Sequence, residues 1–256
     1  MDIGQSLREK ILQVQEYSLF SGQAVANIFR RPLYLADIYT QADLIGFGSL
    51  PIVVLTGFFT GGVLALQSAS TLAAFGAKSI TGQLVSLSMI KELGPVLTGL
   101  MVSGRNASGM ASELGSMQVT EQIDAMRALG TDPMKKLVTP RVLSTVVMLF
   151  FLTIISDTVG TLGGGVVGTA MLGLDASQFF HTSYQALEYP DILQGLLKPI
   201  VFGFIIATVG CYYGMSTKGG TRGVGRATTQ AVVTASVLII AVDFIVSRFM
   251  IGIFGR

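Results

Sequence analysis

The chain has 256 residues, of which 50% are hydrophobic and only 12% are charged, and its formal net charge is +2. Because soluble domains carry about 25% charged residues, this chain has too few charges to cover a surface that faces water. The small net charge gives no support for nucleic-acid binding, and one cysteine cannot form an intrachain disulfide or a thiolate metal cluster. The composition therefore indicates an integral membrane protein.

The N-terminal segment, residues 1–44, mixes apolar side chains with Arg and Lys. This pattern is typical of amphipathic helices that lie along a membrane surface. A cleaved signal peptide is not indicated, because no uninterrupted apolar core occurs before about residue 44. We therefore predict an interfacial N-terminal region, with a polar leader of no fixed structure as the alternative.

Five continuous apolar segments follow, and each can supply the roughly 20 helical residues that span a bilayer. Transmembrane β-strands would alternate apolar and polar residues, which these segments do not. We predict an all-α integral membrane protein with a five-span domain over residues 45–256. The predicted spans cover about residues 45–66, 84–103 (extending as far as 112), 142–172, 196–215 and 231–254.

The Lys and Arg residues between the spans predict the orientation. One side receives four in residues 1–44, five in residues 105–141 and three in residues 216–230, whereas the other side has only Lys78 and Arg256. Because positively charged connections stay in the cytoplasm, the N-terminus is predicted to be cytoplasmic. Five spans then place the C-terminus on the external side.

A polar stretch, SMQVTEQIDAMRALGTDPMKKLVTPR, connects the second and third spans on the cytoplasmic side. It predicts a short helix over about residues 118–131, with Thr120 as N-cap and Gly130 ending it in the left-handed conformation. Asp132-Pro133 is predicted to cap a new turn. Because so short a helix is marginal alone in water, we expect it to dock on a partner protein or, alternatively, on the bilayer surface.

Residues 91–141, KELGPVLTGLMVSGRNASGMASELGSMQVTEQIDAMRALGTDPMKKLVTPR, resemble the signature of MlaE-type (YrbE) permeases. These are the membrane subunits of ABC systems that move phospholipid together with MCE-domain proteins. The resemblance extends along nearly the whole chain, and its most specific parts are Glu113-Leu114-Gly115-x-Met117, Thr120–Ala125 and Pro140-Arg141.

The resemblance implies a permease subunit that moves phospholipids between the inner membrane and a periplasmic MCE-domain carrier, and so contributes to outer-membrane lipid homeostasis and asymmetry. The short helix would be a coupling helix that fits a groove of an ATPase subunit, through Glu121, Gln122, Asp124 and Arg127. The chain would be a transport subunit and not an enzyme, with no cofactor of its own, since the ATPase would bind ATP and Mg²⁺. Further implied partners are a small STAS-domain regulatory subunit and a second copy of the chain in a homodimer, and the implied location is a bacterial inner membrane.

The segment GTRGVGRA, at 220–227, has the glycine spacing of a phosphate-binding loop. Arg226 stands where that loop needs Lys, and Ala227 where it needs a hydroxyl for magnesium. We interpret the segment as a tight cytoplasmic turn near anionic headgroups. The energy source is therefore expected in a separate subunit.

Charged residues within the predicted spans are candidates for substrate contact, because such residues are costly in a membrane unless paired or hydrated. Lys91 and Glu92 precede Gly94-Pro95, which is expected to disturb the helix. Neighbouring helical residues do not face each other, so each of the two charges needs another partner, and a lipid headgroup could supply one. The predicted lipid cavity therefore comprises Lys91, Glu92 and Pro95.

Four other charged residues lie in the predicted spans, and for them structural pairing is the main interpretation and substrate contact the alternative. They are Asp157, Lys198, Asp243 and Arg248. His181, the single histidine, lies in an aromatic external segment, is interpreted as a surface residue, and predicts no metal site. That segment is a hypothetical contact for the MCE partner.

Glycines four residues apart indicate closely packed helices, because small residues allow backbones to approach in lipid. The helices in question could belong to one chain or meet across a homodimer, for which span one or span five is the expected interface. The residues are Gly57, Gly61, Gly160, Gly164 and Gly168.

Two other classes of function remain open from the sequence. A stand-alone secondary transporter driven by an ion gradient would use Asp157 and Asp243 to carry protons or cations. A membrane scaffold that does not transport would tolerate neutralisation of Lys91 and Glu92.

Overall fold

A computed structural model describes the backbone of residues 3–254, together with the side chains of Arg8 and residues 11–253. Arg256, on which part of the orientation argument depends, lies outside the described residues. Every regular element within residues 3–254 is helical, which confirms the predicted all-α class. The α-helices are α1 (Ile3–Ile28), α2 (Leu35–Ala73), α3 (Thr81–Ser88), α4 (Gly94–Val102), α5 (Ser108–Val119), α6 (Gln122–Ala128), α7 (Thr139–Leu172), α8 (Ala176–Gln185), α9 (Tyr189–Met215) and α10 (Gly220–Phe254).

Five helical segments of the described chain are long and apolar enough to cross a membrane, in agreement with the five predicted spans. Most of these helical segments begin before their apolar part, because the polar residues that flank the apolar part are also helical. The segments are Leu35–Ala73, Lys78–Val119, Met134–Leu172, Tyr189–Met215 and Gly220–Ile253.

Within residues 3–254, π-helical turns occur at Met89–Leu93 and Ser103–Ala107, inside the second long segment, and at Met134–Val138, directly before α7. The first directly precedes Gly94-Pro95, where the sequence predicts a disturbed helix. Proline has no N–H group and cannot complete the α-helical hydrogen bond to the residue four positions earlier. π-helical turns are frequent at functional sites, so this turn directs attention to Lys91 and Glu92.

The chain forms two compact units, and the first comprises Met1–Asp43, Ser103–Thr145 and Phe204–Ala235. Within it, α1 packs on α9 through Tyr17, whose ring meets that of Tyr212 edge-on at 5.6 Å and whose hydroxyl lies 2.9 Å from that of Thr208. Other apolar side chains of α1, such as Val14 and Leu19, are exposed. Such a surface is compatible with an interfacial helix, which stays a prediction.

Small residues allow α9 and α5 to pack closely in the same unit. A Cβ atom on Gly214 would lie 2.8 Å from the Cβ of Leu114 and 3.2 Å from the backbone of Ala111. The single cysteine, Cys211, is fully buried on α9.

The second unit comprises Leu44–Val102, Val146–Gly203 and Ser236–Arg256. In it, α2 and α7 meet through glycine, since a Cβ atom on Gly61 would lie 1.8 Å from the carbonyl oxygen of Gly160. A Cβ atom on Gly57 would lie 2.9 Å from the carbonyl oxygen of Ser156, one turn along the same contact. These glycines therefore pack two helices of one chain.

Gly164 and Gly168 extend this packing toward α3 and α8. A Cβ atom on Gly164 would approach Val85 of α3 to 2.8 Å, and one on Gly168 would approach Phe179 of α8 to 3.8 Å. The buried apolar core at this end consists of Ala65, Val85, Met89 and Phe179.

Candidate functional site

A cluster of ionised side chains lies within the second unit, centred on Lys198 of α9. Lys198 is fully buried. Its Nζ atom donates a hydrogen bond to the carboxylate of Glu92 and lies 2.9 Å from Oδ1 of Asp243. Because a buried ammonium is strongly destabilising without a counter-ion, these two carboxylates are the partners that the burial of Lys198 requires.

Pro95 is connected to the cluster through the backbone. Pro95 has no N–H group and so donates no backbone hydrogen bond to the π-helical turn that precedes it. The Lys91 carbonyl of that turn accepts a hydrogen bond from Lys198 Nζ at 2.8 Å. Pro95 itself is buried.

Lys91 and Glu92 have separate partners, as their positions on adjacent helical residues suggest. Lys91 Nζ forms an ion pair with Asp191 at 2.9 Å. Glu92 also accepts hydrogen bonds from Ser247 Oγ at 3.1 Å and Gln194 Nε2 at 3.4 Å. Protein groups therefore neutralise both charges, and no lipid headgroup is needed for that purpose.

The cluster has unequal exposure and unequal charge. The Glu92 side chain is 44% exposed, in contrast to the fully buried Lys198. With all groups ionised, Glu92, Asp191 and Asp243 outnumber the two ammonium groups by one negative charge. The accessible part of the cluster is thus a carboxylate in a region of excess negative charge, which attracts a cationic group such as an amine.

Asp157 and Arg248 take no part in any ion pair among the described residues. Asp157 is buried on α7, and its Oδ1 atom has no hydrogen-bond partner. That oxygen occupies the space in which a side chain at Gly94 would lie, 1.6 Å from an ideal Cβ atom. Arg248 is exposed on α10.

A second candidate surface is α6, which follows α5 in the first unit. Its N-cap residue is Glu121, in the left-handed conformation with φ of 59°. The prediction of Thr120 as N-cap is therefore wrong. The Thr120 hydroxyl instead donates to the carbonyl of Ser116 at 2.9 Å, because the chain is still in the last turn of α5 at this point.

The end of α6 agrees with the sequence. Gly130 has a φ of 78° and so adopts the left-handed conformation. The N–H of Met134 donates to Oδ1 of Asp132 at 2.9 Å, which caps the next turn. Two left-handed residues, Glu121 and Gly130, therefore enclose α6.

The four residues predicted to contact an ATPase are exposed. Asp124 pairs with Arg127 at 2.8 Å, and Gln122 donates to the hydroxyl of Thr120 at 3.0 Å. Leu129, at the C-cap of α6, is also 84% exposed and was not among the predicted contact residues. This exposure agrees with helix geometry, because six residues at 3.6 per turn place Leu129 about 120° around the helix from the fully buried Ile123.

Two pairs hold the chain on either side of α6. Arg141, buried at the start of α7, forms an ion pair with Glu113 of α5 at 2.8 Å and donates to the carbonyl of Leu137 at 2.7 Å. Lys136 pairs with Asp37 at the start of α2 and lies 4.3 Å from the centre of the Tyr34 ring. Both pairs belong to the first unit, so α6 projects from a firmly connected base.

Within the described residues, no group of three or more His, Cys, Asp and Glu side chains is arranged to hold a metal ion.

Comparison with known proteins places these features in a family. The family model described as Permease MlaE matches residues 38–249. A probable ABC transporter permease protein of Rickettsia conorii is 46% identical over 235 residues, which cover 92% of this chain and 91% of the relative. A probable ABC transporter permease protein of Synechocystis is 37% identical over 230 residues, covering 90% and 88%. The intermembrane phospholipid transport system permease protein MlaE of Haemophilus influenzae is 34% identical over 213 residues, covering 83% and 82%.

Proposed function

The chain belongs to the MlaE permease family, and we propose that it is the membrane permease of an ABC transporter that moves phospholipid. The proposal of phospholipid as cargo is supported by the name of the Haemophilus influenzae relative. The observation that carries the coupling part of the proposal is α6, a two-turn helix with exposed charged residues between two membrane spans.

Energy is proposed to come from ATP that a separate ATPase subunit binds and hydrolyses. Glu121, Gln122, Asp124 and Arg127 would contact a groove of that subunit, with the exposed Leu129 in an apolar part of the groove. Docking would also explain how so short a helix is stabilised. In this arrangement α6 is the coupling helix.

Movement of α6 would reach the membrane through the helices on either side. Residues 121 and 130, both left-handed, are the points at which α6 joins the rest of the first unit. The Arg141–Glu113 ion pair connects α5 with α7, so a displacement of α6 would act on both helices together. Hinges of this kind are made by a few residues at element ends.

Lipid contact is proposed at the exposed side of the cluster around Lys198. The Glu92 carboxylate would bind the cationic amine of a zwitterionic headgroup, because the cluster carries an excess negative charge. Lys91 would contribute to phosphate binding when its pair with Asp191 opens. Pro95, which is buried, would support the site by ending the regular backbone hydrogen bonding of the π-helical turn that carries Lys91 and Glu92.

The remaining partners follow from the family and are part of the proposal. We propose a homodimer, a periplasmic MCE-domain protein that exchanges phospholipid with the permease, and a small STAS-domain regulatory subunit. The N-terminus would be cytoplasmic and the C-terminus periplasmic in a bacterial inner membrane. The assembly would contribute to the lipid asymmetry of the outer membrane.

The test is reconstitution of the permease with its copurified ATPase in vesicles that contain fluorescent phospholipid. We expect lipid transfer that requires ATP, and we expect Glu121→Lys with Asp124→Lys to abolish both ATPase copurification and transfer. Asp43→Lys, a charge reversal at an exposed acidic position outside α6, is the control. Full transfer by the permease alone under an ion gradient would instead establish the secondary-transporter alternative.

Lipid contact at Glu92 is tested separately with a photocrosslinking residue at position 92. Capture of phospholipid during turnover would support the cavity. Capture of only protein or water would remove Glu92 from the lipid path without affecting the coupling proposal.

A further inference from the structure

A shallow groove of about 460 Å³, open to the surroundings and lined by α10 alone, lies along the beginning of that helix. It is lined by Arg222, Gly225, Arg226, Thr229 and Gln230. From Arg222 onward these positions recur after three and four residues, so they share one face of the helix. All five residues are exposed. Gly225 has no neighbouring atom within 4 Å of an ideal Cβ position, which leaves the middle of the groove open.

The two arginines of the groove lack a counter-ion. Neither Arg222 nor Arg226 takes part in any ion pair that the described residues form. Arg127 and Arg141 differ in this respect, because each has a carboxylate partner. Like charges four residues apart on a helix repel each other, and an anion between the two guanidinium groups removes that repulsion.

Guanidinium groups are well suited to phosphate, because they donate two parallel hydrogen bonds to its oxygens. The groove also contains Thr229, whose hydroxyl already donates to the carbonyl of Gly225 at 3.2 Å and so keeps an acceptor for a further donor. Gln230 adds both a donor and an acceptor. These neutral groups match the ester and hydroxyl oxygens next to a lipid phosphate.

The groove leads into the apolar part of the helix. Val233, which follows on the same face, is 56% exposed, and Gly220–Ile253 is one of the five segments that can cross a membrane. A molecule whose phosphate lies at Arg222 and Arg226 would therefore place its apolar part along exposed aliphatic side chains. This combination favours a lipid over a soluble anion.

We propose that Arg222 and Arg226 bind the phosphate of an anionic phospholipid, with Thr229 and Gln230 beside its polar linkage and its acyl chains along α10 from Val233. The site differs chemically from the cluster around Lys198. There the excess charge is negative and the accessible group is a carboxylate, whereas here two cations are unpaired. The bound lipid is a ligand that the permease retains, so the inference holds whether or not phospholipid is also the cargo.

The experiment measures lipid retention by native mass spectrometry of the purified chain in mild detergent, titrated with phosphatidylglycerol or phosphatidylcholine. We expect tighter binding of phosphatidylglycerol, and roughly tenfold or greater weakening in the Arg222→Gln, Arg226→Gln variant. The matched control is Arg105→Gln with Lys218→Gln, which removes the same charge from exposed positions outside the groove. The control is expected to keep the preference for phosphatidylglycerol.

Three results of the lipid titration and of crosslinking would overturn the inference. The first is unchanged phosphatidylglycerol binding in the groove variant, and the second is an equal loss in the control. The third is a crosslinking result, obtained with a photocrosslinking residue at position 230 in a chain that keeps both arginines. Capture of a second copy or of another protein, with no lipid, would assign the groove to a protein interface. The wild-type chain could bind phosphatidylglycerol and yet transfer no lipid when reconstituted with the ATPase. That result would count only against the proposed transport function.

Inorganic phosphate at the concentration of the lipid provides the last arm. We expect it to leave phosphatidylglycerol bound, because it cannot replace the acyl contacts. Displacement by inorganic phosphate would show a site for soluble anions and would also overturn the proposal.

Discussion

Arg141 forms an ion pair with Glu113 at 2.8 Å, and this pair joins the helix that precedes α6 to the helix that follows it. The Arg141 side chain is 4% exposed and that of Glu113 is 56% exposed. The pair therefore combines a buried cation with a carboxylate that water can reach. Its position at the base of α6 makes it a connection between α5 and α7.

Replacement of Glu113 with Gln is expected to destabilise the chain by about 1.5–3 kcal/mol, the usual range for a hydrogen bond to a charged group. The physical reason is that the buried guanidinium of Arg141 loses its counter-ion. Thermal unfolding in detergent measures the effect. Asp43→Asn, at an exposed position outside the ion pairs of the described residues, is expected to change nothing, and equal stability of both variants would contradict the prediction.

Replacement of Gly61 with Ala is expected to separate α2 from α7. The new methyl group would meet the carbonyl oxygen of Gly160 at 1.8 Å, and backbone atoms cannot move aside as a flexible side chain can. Reduced thermal stability and reduced folded yield on size-exclusion chromatography are the readouts. Gly109→Ala, where no atom lies within 4 Å, is the control and is expected to be neutral or stabilising.

These glycines illustrate how far the sequence alone could go. Their four-residue spacing predicts close helix packing, because the spacing is a local property of each helix. The partner of each stripe depends on how distant segments fold together, so packing within the chain and packing across a homodimer were equally compatible with it. The structure places Gly61 against Gly160 of the same chain.

Replacement of Lys198 with Met is expected to destabilise the second unit by about 3–5 kcal/mol, as for other buried pairs that lose one partner. Glu92 and Asp243 would lose their shared counter-ion. Addition of Asp243→Asn should restore part of the loss, because one unpaired carboxylate is then removed. Folded yield and thermal stability of the single and double variants provide the test, and a double variant that is less stable than Lys198→Met would refute the shared-ion explanation.

The same cluster shows what sequence patterns leave out. The adjacency of Lys91 and Glu92 indicates that each needs its own partner, since this follows from helix geometry. The partners themselves, Asp191 and Lys198, lie about a hundred positions away along the chain. The misplaced N-cap has a different cause, because Thr120 has suitable chemistry for a cap but α5 extends as far as Val119.

Two replacements of Glu121 test its left-handed backbone conformation independently of its charge, because both remove the carboxylate. Glu121→Gly is expected to preserve the start of α6, because glycine adopts positive φ without strain. Glu121→Val is expected to destabilise that start by about 1–2 kcal/mol, because a branched side chain is unfavourable in the left-handed region. Proteolytic sensitivity of the segment between α5 and α7 measures the difference, and equal sensitivity of the two variants would contradict the assigned conformation.

Replacement of Leu129 with Gln is expected to leave the stability of the isolated chain unchanged, because the side chain is 84% exposed and Gln adds no charge at the end of α6. If α6 docks on an ATPase subunit, the same change should weaken that association roughly tenfold or more, as for an apolar anchor at the centre of an interface. Copurification and titration with the ATPase are the measurements. Ala128→Ser, one residue earlier and also exposed, is the control that should bind normally.

The burial of Cys211 gives the molecule a practical property. Its thiol is enclosed on α9, and the sequence contains no second cysteine. Maleimide dyes and spin labels will therefore react with thiols introduced at exposed sites such as position 129 and leave the native one unmodified. Distances that change during the transport cycle can thus be followed by spectroscopy without first removing cysteine from the chain.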